Sequence, residues 1–176
     1  MTETHPSPIT ERNHPPLVAA EREMLDAWLD FHRATLLLKC EGLTDEQLKT
    51  RSVEPSSLSL LGLVRHMTEV ERGWFRRVLV AEDAKPLYYA PGNDDGDFDD
   101  VDTADVAADM ARFRDEVDHC RRVAAAHADL DTIGKGARHG REFSLRWIYV
   151  HMIEEYARHN GHADFLRERI DGRTGD

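Results

Sequence analysis

Apolar residues recur at three- and four-residue intervals in four separate stretches of this chain, and that period belongs to helices with one buried face. Leu17, Met24, Trp28, Phe31 and Leu38 make the first stretch, which Gly42 stops. Leu60, Leu61, Val64, Met67, Val70, Trp74, Phe75 and Val78 make the second. Val106, Met110, Phe113, Val117 and Cys120 make the third, and Trp147, Ile148, Met152, Phe165 and Leu166 the fourth. Four apolar stripes of this kind are buried most simply against one another, so the sequence predicts an all-α four-helix bundle. No stretch alternates with the two-residue period of a half-buried strand.

The connections are unequal. Pro6, Pro8, Pro15 and Pro16 discourage helix over residues 1–15, which read as a flexible leader before a single metal-binding helical domain over residues 16–172. Thr44 and Gln47 form a plausible capping box for a short helix. Ser56 or Ser57 would cap the second long helix, Thr103 the third, which fades near Asp129, and Ser144 the fourth, which ends at Asp171 and Gly172. Residues 82–102 are punctuated by turn residues and read as a long crossover without helix between helices two and three. It is long enough to let those two helices run parallel. A glycine-rich connection follows over residues 134–140.

At 176 residues the chain can build one sizeable core. Its formal net charge of -11 argues against a nucleic-acid partner, whose footprint would be basic. Much of that charge is one loop: Asp94, Asp95, Asp97, Asp99, Asp100 and Asp102. Lacking EF-hand spacing and a distal glutamate, it reads as a solvated crossover. Cys40 and Cys120 fall within helical patterns and read as buried thiols. No apolar run reaches the roughly 20 residues of a membrane span, and the first residues lack the character of a signal peptide. The expected compartment is the cytoplasm.

Chemistry enters with the fourth helix. Glu155 and His159 stand four residues apart and interrupt its apolar stripe, and His66 interrupts the second helix in the same way. Residues at this spacing stack on one helix face. A buried carboxylate needs a partner or a cation, and facing helices of a bundle commonly supply metal ligands. Two imidazoles and one carboxylate would leave a metal open to water or substrate. Spacing alone leaves Glu154, His151 and His162 as nearby substitutes, with Glu69 as a group that could orient His66. Trp74, Tyr88, Tyr89, Trp147 and Tyr156 could line a pocket, and Arg65, Arg146 and Arg158 could receive a polar cofactor. Core packing and solvation are the ordinary fates of such residues.

The segments from Leu60 to Arg72 and from Val150 to Arg167 resemble the DinB-like superfamily of helical metalloproteins, more closely its mycothiol-dependent branch of maleylpyruvate isomerases and S-transferases. In that superfamily a histidine of helix two and an H-x-x-x-H pair of the last helix commonly bind the metal. Glu155 stands at the first position of that pair, as in the mycothiol-dependent isomerases. The resemblance therefore implies His66, Glu155 and His159 as ligands, and Arg158-His-Asn-Gly-His162 resembles the His-x-Gly sequence after the second ligand of the pair. The full isomerases carry a further C-terminal domain that helps form their active site. This sequence stops near the end of the helical region, so isomerisation is not expected. The resemblance implies a thiol S-transferase.

The donor set favours Zn²⁺, with Ni²⁺, Mn²⁺ or Fe²⁺ as alternatives, and a site of net positive charge that would favour a thiolate. The expected partners are a mycothiol-type thiol, an electrophile in a detoxification reaction and a second copy of the chain. Two other functions fit the same residues: a metal-dependent hydrolase, or a non-catalytic dimeric stress protein whose metal is enclosed by a fourth ligand.

Overall fold

A computed structural model describes residues 12–175, so most of the expected leader lies outside the described residues. Its helices are α1 (Glu21–Cys40), α2 (Asp45–Lys49), α3 (Leu60–Glu71), α4 (Gly96–Asp99), α5 (Val106–Ala125) and α6 (Leu145–Asp171). α3 continues as a π-helix over Arg72–Leu79. The described residues contain isolated bridges but no strands, and no helix is long and apolar enough to cross a membrane.

Side-chain pairs along the helices give their directions. Lys39 and His32 of α1 accept through their carbonyls from Arg167 and Asn160 of α6, at 2.9 and 3.0 Å, so α1 and α6 run the same way. Arg65 and Arg72 reach Asp109 and Glu116 at 3.0 and 2.8 Å, so α3 and α5 also run the same way. Tyr156 donates to Glu71 at 2.9 Å, and the Trp74 and Trp147 rings lie 5.0 Å apart, which sets α6 against α3. The bundle is thus two parallel pairs in opposition, which the long crossover between α3 and α5 makes possible.

The core follows the expected stripes in α3 and α5, where Leu61, Val64, Met67, Phe113 and Val117 are buried, and in Ile148 and Met152 of α6, joined by Tyr156. In α1 the buried face is instead Leu29 and Leu36, because Met24, Phe31 and Leu38 are only partly buried and Trp28 is exposed, as are Trp147 and Phe165 of α6. One charged cluster shares the core. Arg33 makes two 2.7 Å bonds to Glu71, whose Oε1 also accepts from Tyr156, which joins three helices.

Several boundaries differ from the sequence reading. α1 begins at Glu21 rather than Leu17, because Leu17 and Val18 have nothing to pack against and stand 98% and 92% exposed. The cap of α3 is Ser59, which accepts from Gly62, and that of α5 is Asp105, which accepts from Ala108. Buried Val101 holds Thr103 in a 3-10 turn, and this delays the helix. The capping box of α2, the Ser144 cap of α6 and the left-handed Gly172 at its end are as read. The crossover is not wholly irregular, since α4 lies within it.

The π-helix decides where the glycine-rich connection sits. Its i→i+5 pattern leaves late carbonyls available. Val78 and Leu79 accept from the backbone N–H groups of Gly136 and Lys135 at 2.8 and 3.0 Å. A Cβ at Gly136 would collide with the Arg77 carbonyl, so only glycine permits this approach.

Candidate metal centre

His66, Glu155 and His159 come together although they start on two helices. One donor atom from each falls in a group whose members all lie within 4.8 Å of one another. The antiparallel crossing of α3 and α6 explains this: the His66 and His159 rings meet edge to face at 4.8 Å, and Glu155 sits one turn before His159. Glu155 Oε2 lies 3.6 Å from His159 Nε2, and its Oε1 lies 3.2 Å from His151 Nε2. Each oxygen of the carboxylate therefore faces an imidazole.

The His66 ring is held from outside the bundle. Its Nδ1 is 2.8 Å from Asp97 Oδ2, and the Phe98 ring stacks on it at 5.1 Å. Both residues belong to α4, which buried Arg65 secures. Arg65 donates to the Gly96 and Asp97 carbonyls at 2.8 and 3.0 Å and to Asp109 at 3.0 Å, beneath the Tyr88 ring. The sequence reading placed Asp97 in a solvated loop. It is 6% exposed and aimed at His66. Glu69 instead accepts from the backbone of Leu87 and Tyr88 and from Arg77, and so does not orient His66. Six aspartates crowd this stretch, and no local pattern singles out Asp97 among them.

The substitutes fall elsewhere. His151 lies between Trp74 and Trp147, with ring distances of 4.7 and 4.8 Å, and burial pushes its pKa down against the pull of Glu155 and Glu154. His151, Glu154 and Glu155 form a second close group that shares Glu155, but Glu154 is also bound to Arg158. His162 is exposed, with its Nδ1 3.4 Å from His159 Nδ1. Trp74, Tyr88 and Tyr156 are core, Arg146 binds Asp131 and Glu21, and of the expected pocket residues Tyr89 lines a cavity.

The donor chemistry fits a divalent ion. The polar contact from His159 draws the Glu155 carboxyl below its usual range, with help from the His151 and His66 imidazoles, and outweighs partial burial. The ligand oxygen is thus ionised. With Nδ1 of His66 committed to Asp97, Nε2 is the nitrogen left for an ion, the arrangement that commonly orients metal-bound histidines. Tetrahedral zinc ligands lie about 3.3 Å apart, so modest side-chain rotation would close the set.

His66 also borders an open cleft of about 480 Å³, which runs past the π-helix toward the glycine-rich loop. Neither cysteine borders it. Cys40 and Cys120 are buried free thiols, and burial pushes Cys40 up to about 12 and Cys120 well above its ordinary value.

Neither the curated proteins nor the solved structures gave a match to the chain. The Mycothiol-S-transferase family model matches residues 24–172, a span that holds all four long helices from Met24 onward together with His66, Glu155 and His159. The chain belongs to the mycothiol S-transferase family, within the DinB-like superfamily.

Proposed function

We propose that this chain is a divalent-metal-dependent S-transferase that joins mycothiol, or a closely related small thiol, to electrophiles as a cytoplasmic detoxification step. The observation that carries the proposal is the meeting of His66, Glu155 and His159 beside an open cleft, with Asp97 behind His66. These three residues would hold the ion. Zn²⁺ suits them best, with Ni²⁺, Mn²⁺ or Fe²⁺ as alternatives, and when bound it would supply a thiolate at neutral pH from a coordinated thiol.

The residues of the chain do the rest. Asp97 orients His66, and ionised Glu155 offsets part of the positive charge. The cleft beside His66 opens to solvent, which gives an electrophile a route to the ion. The thiol proton goes to solvent, the sulfur forms a bond to the electrophilic carbon, and the leaving group departs with its electron pair. The protein's own thiols are buried and protonated, so the nucleophile comes from the co-substrate.

Two observations favour this reading over an enclosed structural metal. His162 is exposed, and His151 sits on the far oxygen of Glu155 rather than with the three. Trp147, Val150 and Phe165 leave apolar surface on α6, which a second copy would cover in a homodimer.

The test is metal content of protein purified without a histidine tag, beside a His159→Ala variant, followed by transfer from mycothiol to a fluorogenic electrophile. About one ion per chain, lost with transfer in the variant, is expected. A metal-free native protein that takes up neither zinc nor nickel would overturn the proposal.

A further inference from the structure

We propose that His151 is a positioning residue for the metal centre: its imidazole holds Oε1 of Glu155, so that Oε2 is the oxygen kept beside His159 for the ion. The inference rests on the metal reading above and adds to it a residue that is not itself a ligand.

The His151 ring is pinned independently of Glu155. Trp147 stacks on it at 4.8 Å, with the two planes 21° apart, and Trp74 meets it edge to face at 4.7 Å. Phe143 packs against both tryptophans, at 5.0 Å from Trp74 and 4.6 Å from Trp147. Trp74 belongs to the π-helix and is buried, so one side of this clamp is part of the core. Held in this way, the ring brings Nε2 to 3.2 Å from Oε1 of Glu155, one helical turn further on. Its Nδ1 lies 3.5 Å from Oε2 of Glu154, which Arg158 also binds.

Glu155 depends on that contact. The last torsion of a glutamate is broad and two-fold, so a carboxylate engaged at one oxygen alone exchanges its two oxygens readily. Among the described residues, the close polar contacts of Glu155 are His159 on Oε2 at 3.6 Å and His151 on Oε1 at 3.2 Å. No arginine, lysine or backbone amide among them takes either oxygen. His151 is therefore the group that tells the two oxygens apart, as Asp97 fixes the His66 ring from behind at 2.8 Å. Ligating carboxylates are commonly held by such a partner outside the ligand set. His151 does not border the cleft that His66 lines, so it acts through Glu155 and not on a substrate.

The test is zinc affinity of the full chain, by competition with a chromophoric chelator, read beside the visible absorption of cobalt-loaded protein. His151→Phe keeps a ring between the tryptophans and removes both nitrogens, whereas His151→Gln keeps an N–H that reaches Oε1. Zinc affinity is expected to fall about tenfold or more in His151→Phe and by less than about threefold in His151→Gln. The cobalt bands should change in the first and stay native in the second, because they report coordination number, which alters once Glu155 offers both oxygens. His151→Asn is too short to reach Oε1 and should match His151→Phe, which keeps the test decisive if the phenylalanine variant folds poorly. Native zinc affinity in His151→Phe and His151→Asn, equal weakening in the glutamine variant, or weaker zinc binding with native cobalt bands would overturn the proposal. Any of these from a native chain that binds both metals overturns the positioning role alone. A native chain that takes up neither zinc nor cobalt overturns the metal reading, and this role with it.

Discussion

Asp97 is the residue on which the site's rigidity turns. Its carboxylate fixes the His66 ring at 2.8 Å, and Arg65 fixes Asp97 through the adjoining carbonyls. Asp97→Asn preserves shape but removes the charge that strengthens this bond. We expect zinc affinity to fall 10–100-fold while the fold is retained, measured by competition with a chromophoric chelator. Unchanged affinity would show that the contact is idle. His66, Glu155 and His159 were legible as candidates because each interrupts an apolar helical stripe. Asp97 was not, since six aspartates in one loop look alike until a neighbour distinguishes them.

At the scale of elements, the π-helix and the glycine-rich loop form one unit. The loop's amides complete carbonyls that the wide turn leaves free, and Gly136 lets the backbones touch. Gly136→Ala would push the loop off the Arg77 carbonyl. A loss of about 1–3 kcal/mol in urea unfolding is expected, and a variant as stable as the native chain would show that the loop shifts freely. Apolar spacing marked the second long helix correctly through α3 and on to Val78, yet it did not reveal the π register of Arg72–Leu79, because the wider turn moves few residues off the buried face. The caps divided similarly. Thr44 and Ser144 cap as read, whereas Ser59 and Asp105 replace the expected residues because the neighbouring segments are anchored by tertiary burial.

For the molecule as a whole, burial should make stability depend on pH. His32 packs near Trp28 and against Asn160 of α6, and burial lowers its pKa from 6.5. Below that value the unfolded chain takes up a proton that the folded chain resists, so the contribution is present above pH 6.5 and lost as pH falls. Glu155 acts in the same sense at lower pH: its carboxyl is held below 4.5, and its contribution disappears as pH falls through the folded value. Calorimetry of chelator-treated protein should show a lower Tm at about pH 5.5 than at about pH 7.5, with a smaller drop in His32→Gln. An equal drop in both proteins would remove His32 as the cause.

The sequence by itself determined the helical class, the four long helices, their unequal connections and the residues able to ligate a metal, because periodicity and residue chemistry are local properties. Tertiary structure decided which pairs run parallel, that α4 delivers Asp97 to His66, that His151 faces the other oxygen of Glu155, and that the crossover and the glycine-rich loop enclose one cleft. Each of these depends on contacts between residues distant in sequence, and only packing brings those residues within bonding distance.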